Sequence, residues 1–344
     1  MKQRNIVNIP APIRYLIKTA LIAVLIFGVY YATASKLLSN YYSGMLVVVG
    51  INIILAVSLN MATGYLGQLP LGHAGFMAVG AYTGGIFLKA FEANKAEGFA
   101  YIAIVVAALL LSGIVAGVFG IIIGIPALRL RGDYLAIITL GFGEIIRVVL
   151  NNIDQVLGFK FTYGASGLKR IPKISGLLLV TVCVVLIVTV IYMVMKSRHG
   201  RAILSIRENE IAAESCGINT TYYKVMAFSM SAFFAGVAGC LYAGNLGSLY
   251  PSTFGFMKSI EILVMVVLGG MGSMLGSILS ATVLTVLPQL LYAMNDYRMV
   301  IYSLVLVIMM IFRPEGLMGT YDFSLSRILG KLLWKIKNKG GKAE

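Results

Sequence analysis

His73, His199, Cys183, Cys216, Cys240, Glu144 and Arg147 are the side chains from which this chain would have to build reactive chemistry. Enzyme signatures do not gather around them. The sequence holds no HExxH, no GxSxG and no GxxxxGK[ST], which leaves a zincin, a nucleophile elbow and a Walker A loop without support. His73 opens an apolar run, where it caps a helix or hydrogen-bonds a neighbour, and it lacks an evident nucleophile partner. His199 sits in a charged island. Cys183 and Cys240 fall in apolar spans and Cys216 in that island, which suits neither a disulfide framework nor a metal site. No catalytic residue, no metal and no cofactor is expected on this chain.

Glu144 and Arg147, in TLGFGEIIRVVLNN, are charges inside an apolar run. Each costs about 2.5–3.5 kcal/mol at the centre of a membrane helix. At i and i+3 they share one helical face and can neutralise each other. Two readings stand: a structural pair near the outer end of a span, or the lining of a polar path or its outer gate.

The elements that must hold them are hydrophobic. Of 344 residues, 59% are hydrophobic and 12% charged, with a mean hydropathy of +0.90. Apolar runs recur that are long enough to cross about 30 Å of hydrocarbon as helices. Backbone groups have no water to bond there, so a helical bundle is expected, and the alternation of barrel strands is missing. The fold class is thus an all-α polytopic membrane protein of about ten segments, forming one transmembrane domain over 15–317. Spans are expected near 15–31, 44–63, 74–90, 100–125, 134–151, 175–195, 224–246, 259–269, 275–294 and 298–312. The eighth is too short to cross fully, so it and the ninth are expected to share a broken or re-entrant arrangement.

Ten crossings put both termini on one side, and charge says which. Lys2, Arg4, Arg14 and Lys18, then Arg129 and Arg131, the island at 196–224, and the tail after Arg313 hold most of the 28 lysines and arginines. That bias makes these segments cytoplasmic. The net charge of +15 therefore reflects membrane topology rather than nucleic acid. Residues 1–14 form a cytoplasmic amino terminus. The basic tail 318–344, with Trp334, is expected along the anionic membrane lipid. Ala32-Thr33-Ala34 resembles a signal-peptidase site; an uncleaved first helix is expected, with a mature start at Ser35 as the alternative.

Within the island, Asn209 can cap a short helix with Glu210 in its first turn, and Gly217 can end it in a left-handed turn. Ile203, Ile206 and Ile211 leave the island partly apolar. It is either a solvated loop or a docking loop for a soluble partner. Gly80/Gly84, Gly113/Gly117 and Gly120/Gly124 are GxxxG pairs, read as helix packing. Two further glycine groups, Gly64 to Gly72 and Gly269 to Gly276, interrupt apolar stretches in the two halves of the chain. Such interruptions point to a transport site at broken helices.

Together GYLGQLPLGHAGFMAVGAYT (64–83), LRLRGDYLAIITLGFGEIIR (128–147), SRHGRAILSIRENEIAAESCGI (197–218), VLGGMGSMLG (267–276) and FRPEGL (312–317) resemble the LivM-type permease of branched-chain amino acid ABC transporters. The similarity runs over most of the chain, in order. It implies a type II ABC importer-like permease in a prokaryotic cytoplasmic membrane. The implied partners are a LivH-like permease subunit, two cytoplasmic ATP-binding subunits that use the ATP, and an extracytoplasmic binding protein delivering leucine, isoleucine or valine. Arg201, Arg207, Glu208, Glu210, Ala212, Ala213, Glu214 and Gly217 would then couple to the ATPase. Gly64, Gly67, Gln68, His73, Glu144, Arg147, Gly269, Gly270 and Gly272 would belong to the translocation path. The loop Asn152–Lys173, basic through Lys160, Lys169, Arg170 and Lys173, would help receive the binding protein. Pro70 stands where the family commonly has Ser, and Tyr163 to Gly167 varies a more glycine-rich segment; both bear on the substrate path. Urea and short-amide permeases look similar, since the binding protein reads most of the substrate. An ion-coupled secondary transporter and a membrane-embedded enzyme are the alternatives from other classes; the first lacks ionisable coupling residues beyond Glu144 and Arg147, the second a nucleophile–base pair.

Overall fold

Three helices rich in small residues meet at backbone distance in the middle of the bundle. α8 (Thr220–Leu246) lies between α2 (His73–Ala90) and α3 (Gly98–Ala127). A Cβ on Gly80 would collide with the Gly236 carbonyl, and one on Gly120 would meet the Ala232 methyl at 2.7 Å. Lipid gives helices no hydrophobic reason to associate, so close packing and hydrogen bonds must do it. Ser229 Oγ donates to the Gly117 carbonyl at 2.9 Å, and Ser231 Oγ to the Ser58 carbonyl at 2.7 Å. The GxxxG pairs thus serve packing.

The structure is a computed structural model and describes residues 39–91, 98–130, 132–158, 162–291, 297–312 and 316–319, with 27, 28, 30, 31 and 35 ahead of them. The expected amino terminus (1–14), most of the first span, the Ala32–Ala34 segment and nearly all of the tail 318–344 lie outside the described residues.

The remaining helices are α1 (Asn40–Asn60), α4 (Asp133–Leu157), α5 (Leu177–Lys196), α6 (Arg198–Glu208), α7 (Glu210–Ser215), α9 (Phe256–Gly269), α10 (Met274–Leu290) and α11 (Arg298–Phe312). Among the described residues four helical stretches are long and apolar enough to cross a membrane: Asn40–Tyr65, α3, α5 and α8. Outward faces of α3 and α4 carry Ile114, Ile122, Ile137 and Ile145, all exposed, as suits a lipid or subunit boundary. α9, at 14 residues, rises about 21 Å, short of the hydrocarbon thickness. Its short preceding turn, Pro251–Phe254, packs under Tyr82 and Tyr242.

Three boundaries differ from the sequence reading. The island at 196–224 is mostly helical, because Ile203 and Ile206 bury one face of α6 and α8 begins at Thr220. α4 runs on to Leu157, so the first part of the Asn152–Lys173 loop is helix, stopped by Gly158 at φ 72°. The only described strands are β1 (Leu168–Lys169) and β2 (Ser248–Leu249), a two-residue antiparallel ladder pairing Leu168 with Leu249.

The connections segregate. At one end, the 64–72 loop, the α6–α7 element, the 270–273 turn and the 316–318 segment bond to one another: Arg207 to Gly64, Asn60 to Gly272 and Leu317 N to the Leu268 carbonyl at 2.8 Å. At the other, Ile171 N donates to the Gly247 carbonyl at 3.0 Å, Thr162 bonds Asp154, and Lys89 Nζ sits 4.4 Å above the Tyr163 ring. Segments expected on one side of the membrane therefore share one end of the molecule.

Candidate functional site: an exposed helical element and a broken-helix junction

α7 is built by its caps. Asn209, extended at φ −159°, accepts from Ala212 N through Oδ1 at 3.0 Å. At the far end Gly217 N donates to the Glu214 carbonyl at 2.9 Å and Ile218 N to the Ala213 carbonyl at 3.1 Å. That pair of bonds is a Schellman motif, with Gly217 at φ 80°. No atom lies near the place of a Cβ on Gly217, so glycine is needed for conformation rather than space.

The residues expected to meet an ATPase divide into two sets. Arg201, Glu208, Ala212, Glu214 and Gly217 are exposed, as are Ser215 and Cys216, and Ile211 is 69% exposed. Ala213 is buried beneath them. Glu210 turns inward, where Oε1 lies 2.6 Å from Lys224 Nζ, and the lysine side chain is 5% exposed. This ion pair pins α7 to α8. His199 lies beside Tyr223, with ring centroids 5.9 Å apart.

Arg207 is exposed as well, but its guanidinium end is tied back to the protein. Its Nη1 donates to the Gly64 carbonyl at 2.6 Å, and its stem passes Gly67, whose Cβ would sit 3.1 Å from Arg207 Cγ. Gly64 belongs to a π-helical turn, Met61–Tyr65, a form that frequently marks functional positions. The turn closes with Gln68 N donating to the Ala62 carbonyl at 3.0 Å.

The two glycine groups form one junction. A Cβ on Gly64 would collide with the Gly272 backbone nitrogen, and one on Gly269 would meet the Gly276 carbonyl carbon at 2.5 Å. Asn60, fully buried, accepts from Gly272 N through Oδ1 at 2.9 Å and donates Nδ2 to the Ser273 carbonyl at 3.2 Å. Gly270 and Gly272 have φ of 103° and 88°, ending α9 sharply before Ser273 caps α10 through Gly276 N. Sequence reading missed Asn60, although an amide near the end of an apolar run requires partners once buried.

His73 is not part of this junction. Its Nε2 lies 3.0 Å from Ser58 Oγ; since Ser58 Oγ donates to the Leu55 carbonyl, the assigned tautomer has Nε2–H donating. The next amide, Ala74 N, donates to Ser259 Oγ at 3.2 Å. Glu144 and Arg147 pair at 2.6 Å with each side chain about a third exposed, at 33% and 34%. Glu144 Oε1 also accepts from Phe256 N at 3.1 Å, so the carboxylate brackets α4 to the start of α9. Among the described residues no three His, Cys, Asp or Glu gather as metal ligands.

The family described as branched-chain amino acid transport system, permease component, matches residues 40–312. The high-affinity branched-chain amino acid transport system permease protein LivM of Salmonella typhimurium is 38% identical over 302 residues, 78% of this chain and 68% of the relative. LivM of Escherichia coli is 37% identical over the same shares. LivH of Salmonella typhimurium is 32% identical over 125 residues, 36% of this chain and 40% of the relative.

Proposed function

The chain belongs to the permease-component family of branched-chain amino acid transport systems, and on that premise we propose that it is one membrane subunit of an ATP-driven importer of leucine, isoleucine and valine. It is a permease rather than an enzyme, in line with relatives named as transport system permease proteins. In this reading it pairs with a LivH-like permease, two cytoplasmic ATPases and an extracytoplasmic amino-acid-binding protein, in a bacterial cytoplasmic membrane. The type II importer architecture, ten crossings and cytoplasmic termini belong to the same proposal.

The observation that carries it is the α6–α7 element. A capped, six-residue helix with an exposed apolar tip at Ile211 and an outward Glu214 suits a helix that enters a groove on a soluble ATPase. The positive-inside bias supports a cytoplasmic position for that end. The Gly64, Gly67, Gln68, Gly269, Gly270 and Gly272 junction is the part of the path that changes shape, and the partly exposed Glu144–Arg147 pair borders the path. His73 holds α2 to α1. Lys169, Arg170 and Lys173, at the opposite end, help receive the binding protein.

Uptake of labelled leucine by cells with and without the gene, competed by unlabelled isoleucine, valine and urea, tests the reading. Loss on deletion, with competition by the branched amino acids alone, is expected. Unchanged leucine uptake with loss of urea uptake overturns the cargo. Uptake that survives loss of the ATPase subunits overturns the ATP-driven mechanism.

A further inference from the structure

We propose that Arg207 is the positioning residue that passes movement of the docking element to the broken-helix junction. The inference rests on the importer reading above and deepens it, because the Arg207 side chain, although the residue is exposed, is bonded to the Gly64 carbonyl.

Three observations converge on this one side chain. Its Nη1 donates to the Gly64 carbonyl inside the π turn. The same Nη1 lies 2.9 Å from where a Cβ on Gly272 would stand, so the guanidinium touches both halves of the junction. Its stem lies along Gly67. A guanidinium is planar and presents several fixed donors, so it holds a carbonyl in a set direction where an ammonium would swivel.

Placement within the element makes the contact directional. Asn209 is the extended residue between α6 and α7. On its carboxyl side Glu210 is tied to Lys224 of α8; on its amino side, two residues away, Arg207 is tied to Gly64. Force on the exposed face of α7 therefore divides between α8 and the junction. α8 is locked by close packing against α2 and α3. The junction is not regular helix: it has a π turn on one strand of chain and two positive-φ glycines on the other. Displacement of α6 is relieved there, through Arg207.

The test uses the whole complex, with permease partner, ATPases and binding protein, reconstituted in proteoliposomes. Retained ATPase subunits, ATP hydrolysis and leucine taken up per ATP are measured for R207M and R207K. For R207M the ATPases stay bound and hydrolyse, while leucine per ATP falls by about tenfold, within the range of coupling between distant sites. R207K falls between R207M and the unaltered chain. Unchanged leucine per ATP in R207M overturns the proposal. So does loss of the ATPase subunits from both variants, which would make Arg207 a docking contact. Should R207M fail to assemble, R207K decides: an assembled complex with reduced leucine per ATP supports the role, and unaltered stoichiometry overturns it. A complex of the unaltered chain that binds no ATPase or imports no leucine defeats the importer reading itself, whatever the variants do.

Discussion

Asn60 and Gly272, 212 positions apart in sequence, are joined by a 2.9 Å hydrogen bond from the glycine amide to the asparagine Oδ1. The same asparagine donates to the Ser273 carbonyl, so one side chain satisfies both groups of a backbone turn that ends a helix inside the protein. Asn60→Leu leaves the Gly272 amide without its acceptor, while the Ser273 carbonyl keeps the Ser277 amide and hydroxyl. A buried unsatisfied group costs about 1–3 kcal/mol. Thermal unfolding of the purified permease should show a clear drop for Asn60→Leu; Asn60→Asp keeps the acceptor but sets a buried carboxylate oxygen against the Ser273 carbonyl, and should be no milder.

Gly217→Ala places a Cβ in open space but in left-handed backbone, a conformation costing about 1–2 kcal/mol for an L-residue. The cost falls on the turn that sets the exposed face of α7. Co-purification of the ATPase subunits should weaken and leucine uptake per ATP should fall, with Gly217→Asn milder. Unaltered binding and coupling in Gly217→Ala would remove the docking role of α7.

Glu210→Ala strands the Lys224 ammonium, whose side chain is 5% exposed. Breaking one side of a buried pair costs about 3–5 kcal/mol, the upper end being reduced here because Glu210 is partly exposed. Chemical denaturation should show Glu210→Ala more damaging than Glu210→Gln. The double change with Lys224→Met should cost less than the two single costs added, since the pair acts as a unit.

At Glu144 two bonds can be separated. Glu144→Gln keeps an acceptor for Phe256 N and loses the charge that faces Arg147; Glu144→Met loses both. Loss of a helix-start acceptor costs about 1 kcal/mol. Stability should therefore fall further in Glu144→Met. If the pair borders the path, leucine uptake per assembled complex falls in both variants; wild-type uptake in both limits the pair to bracketing α4 and α9.

What the sequence made legible was local. Asn209 and Gly217 announced α7 because a cap contacts amides only three residues away, and the GxxxG pairs announced close packing because small size is a property of the residue itself. α6 was hidden in a polar stretch, its charged residues masking the Ile203 and Ile206 face that the core buries. The junction was half visible: each glycine group marked a break, but nothing in either said that Gly64 would lie on Gly272. Arg207 was placed with the docking residues because it neighbours them in sequence. Its bond to a carbonyl 143 positions away depends on how α1, α6 and α9 meet, which no local pattern encodes.

Cys216 sits in the exposed turn at the end of α7, while Cys183 is half-buried and Cys240 fully enclosed. The unaltered chain thus already carries a chemically addressable handle beside the helix proposed to dock, with Cys240 enclosed and Cys183 only half-buried. Under the proposed docking, a bulky maleimide applied from the side that α7 faces reacts fast with the undocked permease and slowly with the assembled one. Occupancy of the docking surface can then be followed by mass alone, in native membranes, without introducing a single substitution.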